Sequence, residues 1–380
     1  MSNLCVLPFT GIEADPMGNC KVCCLSTKTI PNINLKTNTL TEAFNSDYMY
    51  GLREEFLQGG KPEECIRCWA EEDAGRKSKR QHTLDKFGNF TFYESKLVFL
   101  DLKLGNICNL KCRICGSFSS SKWAQEELDI YADNQTARDN LANGRWVRES
   151  EPFWNDLRDI LSNTRFIEFT GGEPFLIEEH FDLLQFAVEN DLAKNIEIHY
   201  NTNGTQFPER GLELWPHFKC VEIAVSIDDI GPRFEYQRYG AKWDKVMVNL
   251  ERFYELRNTN RNITLQLCMT SNAQNFYYID EMCHWISEQR FNFVYFNVMH
   301  DVWYFSISRL NRKAKDLIYD KLKDFHGPYS HEVRNLLQFM QQGADSDCFE
   351  LVKTLKNSDR IRAQRFSEHH PEIAAAIGYV

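Results

Sequence analysis

The sequence lacks several features that would assign the protein to a particular class. No apolar run reaches the roughly 18 residues that a membrane-spanning helix needs, so we expect no association with a membrane. The amino-terminal residues have neither a basic stretch nor a long apolar core, so we expect no signal peptide. An excess of positive charge is missing too, because the formal net charge is −10. That balance argues against broad nucleic-acid binding, although it leaves room for one structured RNA partner.

Cysteine, by contrast, is abundant, since the chain of 380 residues holds 13. Without an export signal, so many thiols indicate a reducing cytoplasm and metal ligation rather than disulfide bonds. We therefore expect a cytoplasmic protein that binds metal through thiolates. The length is sufficient for one large domain or two ordinary ones.

Three cysteines form the most informative motif of the chain. Cys108, Cys112 and Cys115 have the spacing Cys-x3-Cys-x2-Cys within LKLGNICNLKCRICG. Three thiolates can hold three irons of a 4Fe–4S cluster, which leaves one iron open to a ligand that is not protein. The alternative is a zinc knuckle, but zinc sites usually pair Cys-x2-Cys with a second pair or with histidines. No such pair follows within about fifty residues.

Strand-like runs alternate with helical stretches from residue 96 onward, and this alternation predicts parallel β/α units. The strands are predicted near 98–104, 165–170, 195–200, 220–227, 262–269 and 293–299. Helices are predicted between them, for example over 180–190 and 243–256. Catalytic groups should then lie at the carboxyl ends of the strands. Residues 116–160 form a long polar insertion, and the tail after residue 310 is predicted to be helical.

The cysteine triplet follows the first strand, and the segment Gly171-Gly172-Glu173-Pro174 follows the second. This order of motifs resembles the radical SAM superfamily over most of residues 96–310. The resemblance implies an α/β fold, a partial (β/α)6 TIM-like barrel. It also implies that the open iron is chelated by the amino and carboxylate groups of S-adenosylmethionine, and that Gly171, Gly172, Glu173 and Pro174 line the methionine amine. Ile114 is a departure, because the family more often has an aromatic residue there.

The resemblance implies further contacts to S-adenosylmethionine at two strand ends. Asn203 follows the third strand, and Ser226 and Asp228 follow the fourth; such residues would bind the ribose hydroxyls and the methionine carboxylate. Arg238 would face that carboxylate, since its forked guanidinium can bind both oxygens. The alternative for each is ordinary turn chemistry, because Asn-Gly and Asp-Asp are common in loops.

Residues 1–70 carry six of the thirteen cysteines. Four of them, Cys5, Cys23, Cys65 and Cys68, could fully ligate a second 4Fe–4S cluster, or a structural zinc ion. Cys20 and Cys24 could replace Cys23. Between the cysteines, the apolar spacing predicts one helix within 40–62, ended by two glycines and a proline.

The amino-terminal pattern resembles the SPASM/Twitch auxiliary modules of radical SAM enzymes, which read Gly-x4-Cys as Gly18 and Cys23 do here. Such modules normally follow the barrel, whereas this one precedes it. The domains expected are a Twitch-like module at 1–75, a linker at 76–95, the barrel at 96–310 and a helical region at 311–380.

The resemblance implies an enzyme that cleaves S-adenosylmethionine reductively to a 5′-deoxyadenosyl radical. That radical would take hydrogen from a peptide or a small molecule such as a sugar, while the second cluster assists electron transfer. It also implies an electron donor such as flavodoxin or ferredoxin. The alternative is a non-catalytic iron–sulfur scaffold or redox sensor. Cys268 is a candidate hydrogen donor or a packed core thiol, and substrate contacts are conceivable at His300, Asp301 and Trp303.

Overall fold

The structure is a computed structural model that describes residues 3–73, 77–87, 95–148, 150–300 and 302–379. Within these ranges the chain builds a single sheet of eight strands, in the order β2-β1-β3-β4-β5-β6-β7-β8. The strands are β1 (Gly11–Ala14), β2 (Cys20–Lys21), β3 (Phe99–Lys103), β4 (Phe166–Thr170), β5 (Glu197–Thr202), β6 (Cys220–Ser226), β7 (Ile263–Ser271) and β8 (Phe293–Val298).

Every neighbouring pair in this sheet is parallel except β1 and β2, which are antiparallel. The six strands predicted from the alternating pattern correspond to β3–β8, so the expected parallel α/β sheet is confirmed. Such a sheet needs helices on its face because its connections cross over. The sheet is consistent with a radical SAM partial barrel.

Helices cover the outer face of the sheet and continue beyond it at both ends of the chain. Their bounds are α1 (Leu7–Thr10), α2 (Leu40–Phe44), α3 (Asp47–Leu57), α4 (Ile66–Asp73), α5 (Lys79–Phe87), α6 (Ser121–Ile130), α7 (Gln135–Asn143), α8 (Glu151–Ile160), α9 (Glu179–Glu189), α10 (Glu209–Leu214), α11 (Gly231–Gln237), α12 (Trp243–Thr259), α13 (Ile279–Ser287), α14 (Arg312–Leu322), α15 (Ser330–Gln342), α16 (Phe349–Arg362), α17 (Phe366–His369) and α18 (Pro371–Ile377). None of the helices described is long and apolar enough to cross a membrane.

The two faces of the sheet differ in polarity because successive side chains along a strand point to opposite sides. One face carries apolar residues in register, such as Leu100 opposite Ile167, and these are fully buried. The other face carries charged residues in register across four strands: Asp101, Glu168, His199 and Glu222. The second set forms the polar inner face of the sheet.

The structure divides the helix expected within 40–62 into α2 and α3. Thr39 begins α2 with a capping box to Glu42, and Ser46 begins α3 by accepting a hydrogen bond from the backbone N–H of Met49. A serine side chain that caps a new helix competes with continuation of the preceding one. Tyr48, Leu52 and the other apolar positions of α3 therefore keep their helical spacing, whereas Asn45 and Ser46 lie between two helices.

The amino-terminal segment also joins the sheet directly. Strand β1 pairs with β3 in parallel, with Gly11 opposite Phe99. Part of the expected linker at 76–95 is helical, since α5 occupies Lys79–Phe87; residues 76 and 88–94 lie outside the described residues. Phe87 of α5 packs on Phe99 and Phe166, with ring centroids 5.6 and 6.0 Å away.

Candidate active site

The cysteine triplet lies on the loop that leaves the carboxyl end of β3. Cys108, Cys112 and Cys115 are each partly buried. The backbone N–H of Leu110 donates to the Cys108 Sγ at 3.5 Å, and the N–H of Cys115 donates to the Cys112 carbonyl at 3.0 Å. Indole Nε1 of Trp123, on α6, donates to the same carbonyl at 2.7 Å. The long insertion thus supports the cluster loop (residues 104–117), and Ile114 packs against the core.

The Gly-Gly-Glu-Pro segment hydrogen-bonds to this cluster loop. The N–H of Gly172 donates to the Gly105 carbonyl at 3.1 Å, and the N–H of Glu173 donates to the Ile107 carbonyl at 2.8 Å. A Cβ on Gly172 would lie 2.2 Å from the Ile107 oxygen, so only glycine permits this approach. Gly171 has φ +105°, a backbone conformation that side chains rarely adopt.

Glu173 connects the ends of β4 and β5. Its buried carboxylate accepts from Thr202 Oγ1 at 2.8 Å, from the N–H of Asn203 at 2.8 Å and from the N–H of Phe175 at 3.3 Å. Burial raises the pKa of Glu173 to about 7, while these hydrogen bonds act in the opposite direction. Pro174 follows at the start of a short 3₁₀ turn and is buried.

Asn203 brings the end of β5 onto the cluster loop. Its side-chain amide donates to Asn109 Oδ1 at 3.0 Å and lies 4.0 Å from the Cys108 Sγ. Its own oxygen accepts from the N–H and the hydroxyl of Thr205 at 2.9 and 2.6 Å. The amide is therefore fixed in orientation next to the first cysteine of the triplet.

Asp228 and Arg238, predicted as separate ligand contacts, form an ion pair with each other. Arg238 Nη2 lies 2.7 Å from Asp228 Oδ2, and Oδ1 of Asp228 accepts from the N–H of Thr270 at 2.8 Å. Burial raises the pKa of the Cys112 thiol, and the nearby guanidinium of Arg238 acts against that rise. The pair therefore lies beside the cluster loop. Ser226 is half-buried at the end of β6, opposite Cys268 of β7.

The carboxyl-terminal helices pack onto the cluster loop and α6 through specific contacts that the sequence did not predict. Arg113 donates to Asp359 Oδ1 of α16 at 2.6 Å and to the Tyr236 carbonyl at 3.0 Å. Arg362, also on α16, donates to Glu126 at 2.9 Å. These are pairs of charged residues far apart in sequence, and no local motif marks them.

The four amino-terminal cysteines chosen as ligands meet in one cavity. Cys5, Cys23, Cys65 and Cys68 line it together with Lys79 and Arg80, whereas Cys20 and Cys24 do not. Burial raises the pKa of the Cys5 and Cys65 thiols, and the neighbouring Cys23 raises them further. Among the residues described, no three His, Cys, Asp or Glu side chains are grouped as a single metal ion would require.

The polar inner face continues from that cavity toward the cluster loop. Lys79 donates to the Cys24 Sγ at 2.8 Å and lies 3.9 Å from Asp101. Lys103 bridges Glu13 at 2.6 Å and Asp101 at 3.0 Å. The charged residues of the inner face thus compensate one another, as expected for an architectural network.

The remaining candidates have ordinary surroundings. Cys268 is partly buried, and burial raises its pKa to about 12. His300 packs edge-on against Phe339 at 5.8 Å, and Trp303 is half-exposed. Asp301 lies outside the described residues.

Comparison with known proteins gives a family and several distant relatives. The family model for the Radical SAM superfamily matches residues 102–286. GTP 3′,8-cyclase of Mannheimia succiniciproducens is 23% identical over 203 residues, which cover 52% of this chain and 52% of the cyclase. The same enzyme from Vibrio vulnificus strain YJ016 is 23% identical over 198 residues, covering 52% and 53%. The chain thus spans about half the length of the curated relatives it matches.

The chain also matches several solved structures at low similarity. Native anSMEcpe with bound AdoMet has a TM-score of 0.40 at 19% identity, covering 66% of this chain and 63% of that one. Streptococcus suis SuiB bound to its precursor peptide SuiA has a TM-score of 0.37 at 15% identity, covering 74% and 59%. The family model and the curated relatives both describe enzymes. This chain is therefore an enzyme, and the reaction that it catalyses is unspecified. Residues 102–286 thus form a Radical SAM superfamily domain.

Proposed function

We propose that this protein cleaves S-adenosylmethionine reductively at a 4Fe–4S cluster held by Cys108, Cys112 and Cys115. The observation that carries the proposal is the contact between the Gly-Gly-Glu-Pro segment and the cluster loop. Glu173 donates its backbone N–H to Ile107, one residue before Cys108, while its carboxylate holds the end of β5. The segment proposed to bind the methionine amine is therefore fixed relative to the first cluster ligand.

The side chains around the loop fit this pair of cofactors. The three thiols of this one loop match a cluster with one open iron. Arg238 Nε is buried and has no hydrogen-bond partner in the described part of the chain, so the guanidinium keeps a donor for a carboxylate ligand. Asn203, Ser226 and Asp228 lie at neighbouring strand ends, where the ribose and the methionine carboxylate would bind.

When bound, these cofactors supply a 5′-deoxyadenosyl radical that takes hydrogen from the substrate. The chain's own contribution is to bind and orient the cofactors and the substrate, and to exclude water. The polar inner face, with Lys103 and Asp101 on β3, favours a polar substrate, and we propose a peptide or a small molecule such as a sugar. The reducing electron would come from a protein such as flavodoxin or ferredoxin.

We further propose that Cys5, Cys23, Cys65 and Cys68 hold a second 4Fe–4S cluster that assists electron transfer. This proposal is supported by the observation that all four cysteines line one cavity. Burial keeps these thiols protonated and neutral without a metal, and cluster binding would replace their protons. A structural zinc ion with four thiolate ligands is the alternative occupant.

The decisive experiment is to assay 5′-deoxyadenosine formation under dithionite with iron-loaded protein. Cys112→Ala should abolish the product, because it removes a ligand of the only cluster proposed to have an open iron. Cys65→Ala, if folded, should retain some cleavage because it removes a ligand of the other cluster. Undiminished cleavage by Cys112→Ala would refute the assignment. Absence of product from fully loaded wild-type protein would favour the non-catalytic scaffold or redox sensor.

A further inference from the structure

Arg362 places a buried positive charge next to the cluster loop. Its side chain is 0% exposed and lies between two aromatic rings, with its guanidinium carbon 4.6 Å from the centroid of Trp123 and 4.6 Å from that of Tyr239. Both rings belong to residues that hold the loop. Trp123 donates to the Cys112 carbonyl at 2.7 Å, and the Tyr239 carbonyl accepts from the N–H of Lys111 at 2.9 Å.

Arg362 shares its ion-pair partner with a second cation. Glu126 is its ion-pair partner, at 2.9 Å, but the same carboxylate also pairs with Lys111. One carboxylate thus faces two cations. Two other ion pairs at the loop are matched, Arg113 with Asp359 and Arg238 with Asp228. Arg362 therefore has only a share of the Glu126 charge, while Glu127, which accepts from the N–H of Ser117 at 3.3 Å, is a further carboxylate at the loop.

A buried cation is costly unless negative charge and hydrogen bonds compensate it fully. Nη1 of Arg362 is buried and has no hydrogen-bond partner among the described residues. Three thiolates carrying a 4Fe–4S cluster have a negative total charge, which grows by one unit on reduction. Nearby charge and hydrogen bonds are among the factors that set the reduction potential of such clusters.

We propose that Arg362 is a positioning residue for the cluster loop whose charge stabilises the reduced cluster and so raises its reduction potential. The inference rests on the proposed function, because it requires the cluster at Cys108, Cys112 and Cys115. The carboxyl-terminal helix α16 would thereby take part in the redox chemistry of the site. Glu126 opposes this effect by offsetting part of the charge.

The test is a potentiometric titration of the full-length, iron-loaded protein, followed by electron paramagnetic resonance. The signal of this cluster is the one that disappears in the Cys108/Cys112/Cys115 triple Ala variant. Arg362→Met removes the charge and should lower the reduced-to-oxidised ratio about tenfold at a fixed potential, which is 59 mV for one electron. Arg362→Lys keeps the charge and should stay within about twofold of wild type. Arg360→Met, on the exposed side of the same helix, is the matched control and should change nothing.

The Glu126→Gln variant tests whether the reduction potential shifts in the direction that an electrostatic effect requires. It removes the opposing charge, so it should raise the reduced fraction, whereas Arg362→Met lowers it. Mere loosening of the loop would move both variants in the same direction, and that result would overturn the proposal. A shift in Arg362→Lys as large as that in Arg362→Met would also overturn it. If Arg362→Met fails to bind iron, the changes in reduced fraction of the Glu126→Gln and Arg362→Lys variants decide whether the proposal holds. If no signal disappears in the triple Ala variant, the proposed function itself is refuted, because the amino-terminal cluster would then account for every signal.

Discussion

Arg113, which follows Cys112, donates from Nη2 to Asp359 Oδ1 at 2.6 Å across 246 residues of sequence. The two side chains are 1% and 4% exposed. Asp359 also accepts from the hydroxyls of Tyr236 and Tyr379 at 2.9 and 2.6 Å. This one carboxylate therefore connects the cluster loop to α11, α16 and the end of the chain.

Removing that carboxylate should destabilise the fold strongly. In Asp359→Ala the guanidinium of Arg113 loses its counter-charge inside the protein, which costs about 3–5 kcal/mol. Anaerobic urea unfolding of the iron-loaded protein measures the loss. Asp320→Ala, which breaks an exposed pair with Lys323, is the control and should leave the free energy of unfolding nearly unchanged. Equal losses of unfolding free energy in the two variants would mean that the buried pair contributes no more to stability than the exposed pair does.

Iron analysis should distinguish the two cysteine sets. Reconstituted wild-type protein should carry about eight irons, and the Cys108/Cys112/Cys115 triple Ala variant about four. Cys220→Ala, outside both sets, should retain the wild-type content. Wild-type protein that holds only about four irons together with zinc would contradict the auxiliary cluster.

Gly172→Ala should displace the cluster loop. The new methyl group would meet the Ile107 oxygen at 2.2 Å, so the backbone next to Cys108 must move. We expect loss of about four irons, measured alongside circular dichroism to verify folding. Gly51→Ala on α3 is the control, because nothing lies within 4 Å of its added carbon. Full iron content in Gly172→Ala would show that the close contact is dispensable.

Glu173→Ala should weaken binding of S-adenosylmethionine while both clusters stay loaded. A charge-assisted bond to the ligand's ammonium group contributes roughly 1.5–3 kcal/mol, so affinity should fall about ten- to a hundredfold in calorimetric titrations. Asp228→Ala should act in the same direction if it binds ribose. Glu189→Ala, exposed on α9, is the control. Wild-type affinity in an iron-loaded Glu173→Ala protein would mean that this segment is only a turn, and the roles of Asn203, Ser226 and Arg238 would need revision.

His180 should make stability depend on pH. Burial lowers its pKa from 6.5 to about 3, and its ring nitrogens contact the Ile177 carbonyl and the Tyr200 hydroxyl. The imidazole of His180 therefore binds a proton near pH 6.5 in the unfolded chain, but only near pH 3 in the folded chain. The stabilisation is complete above that pH and is lost as the pH falls toward about 3.

Between pH 7.5 and 5.5 this proton alone should lower the free energy of unfolding by about 1.4 kcal/mol. The His180→Gln variant has no titrating ring and should lose that part of the pH dependence in denaturant unfolding. His217→Gln, at an exposed position, should keep it. An unchanged pH slope in His180→Gln would show that the folded protein protonates His180 as readily as the unfolded chain does.

The sequence by itself determined the features that depend on neighbouring residues. Strands β3–β8 follow from local alternation of apolar runs and helical stretches, and the Cys108–Cys115 motif is a matter of spacing within a single loop. The polar register of Asp101 and Glu168 follows from the two-residue repeat of strands.

Tertiary structure decided what depends on contacts between distant segments. Pairing of β1 with β3, and of Arg113 with Asp359, joins residues far apart along the chain, and no local pattern specifies such partners. The break between α2 and α3 was missed for a different reason, because the cap at Ser46 outweighs an uninterrupted apolar spacing. The charge of Arg362 lies beside the cluster loop only because packing brings α16 onto that loop, where burial strengthens electrostatic interactions.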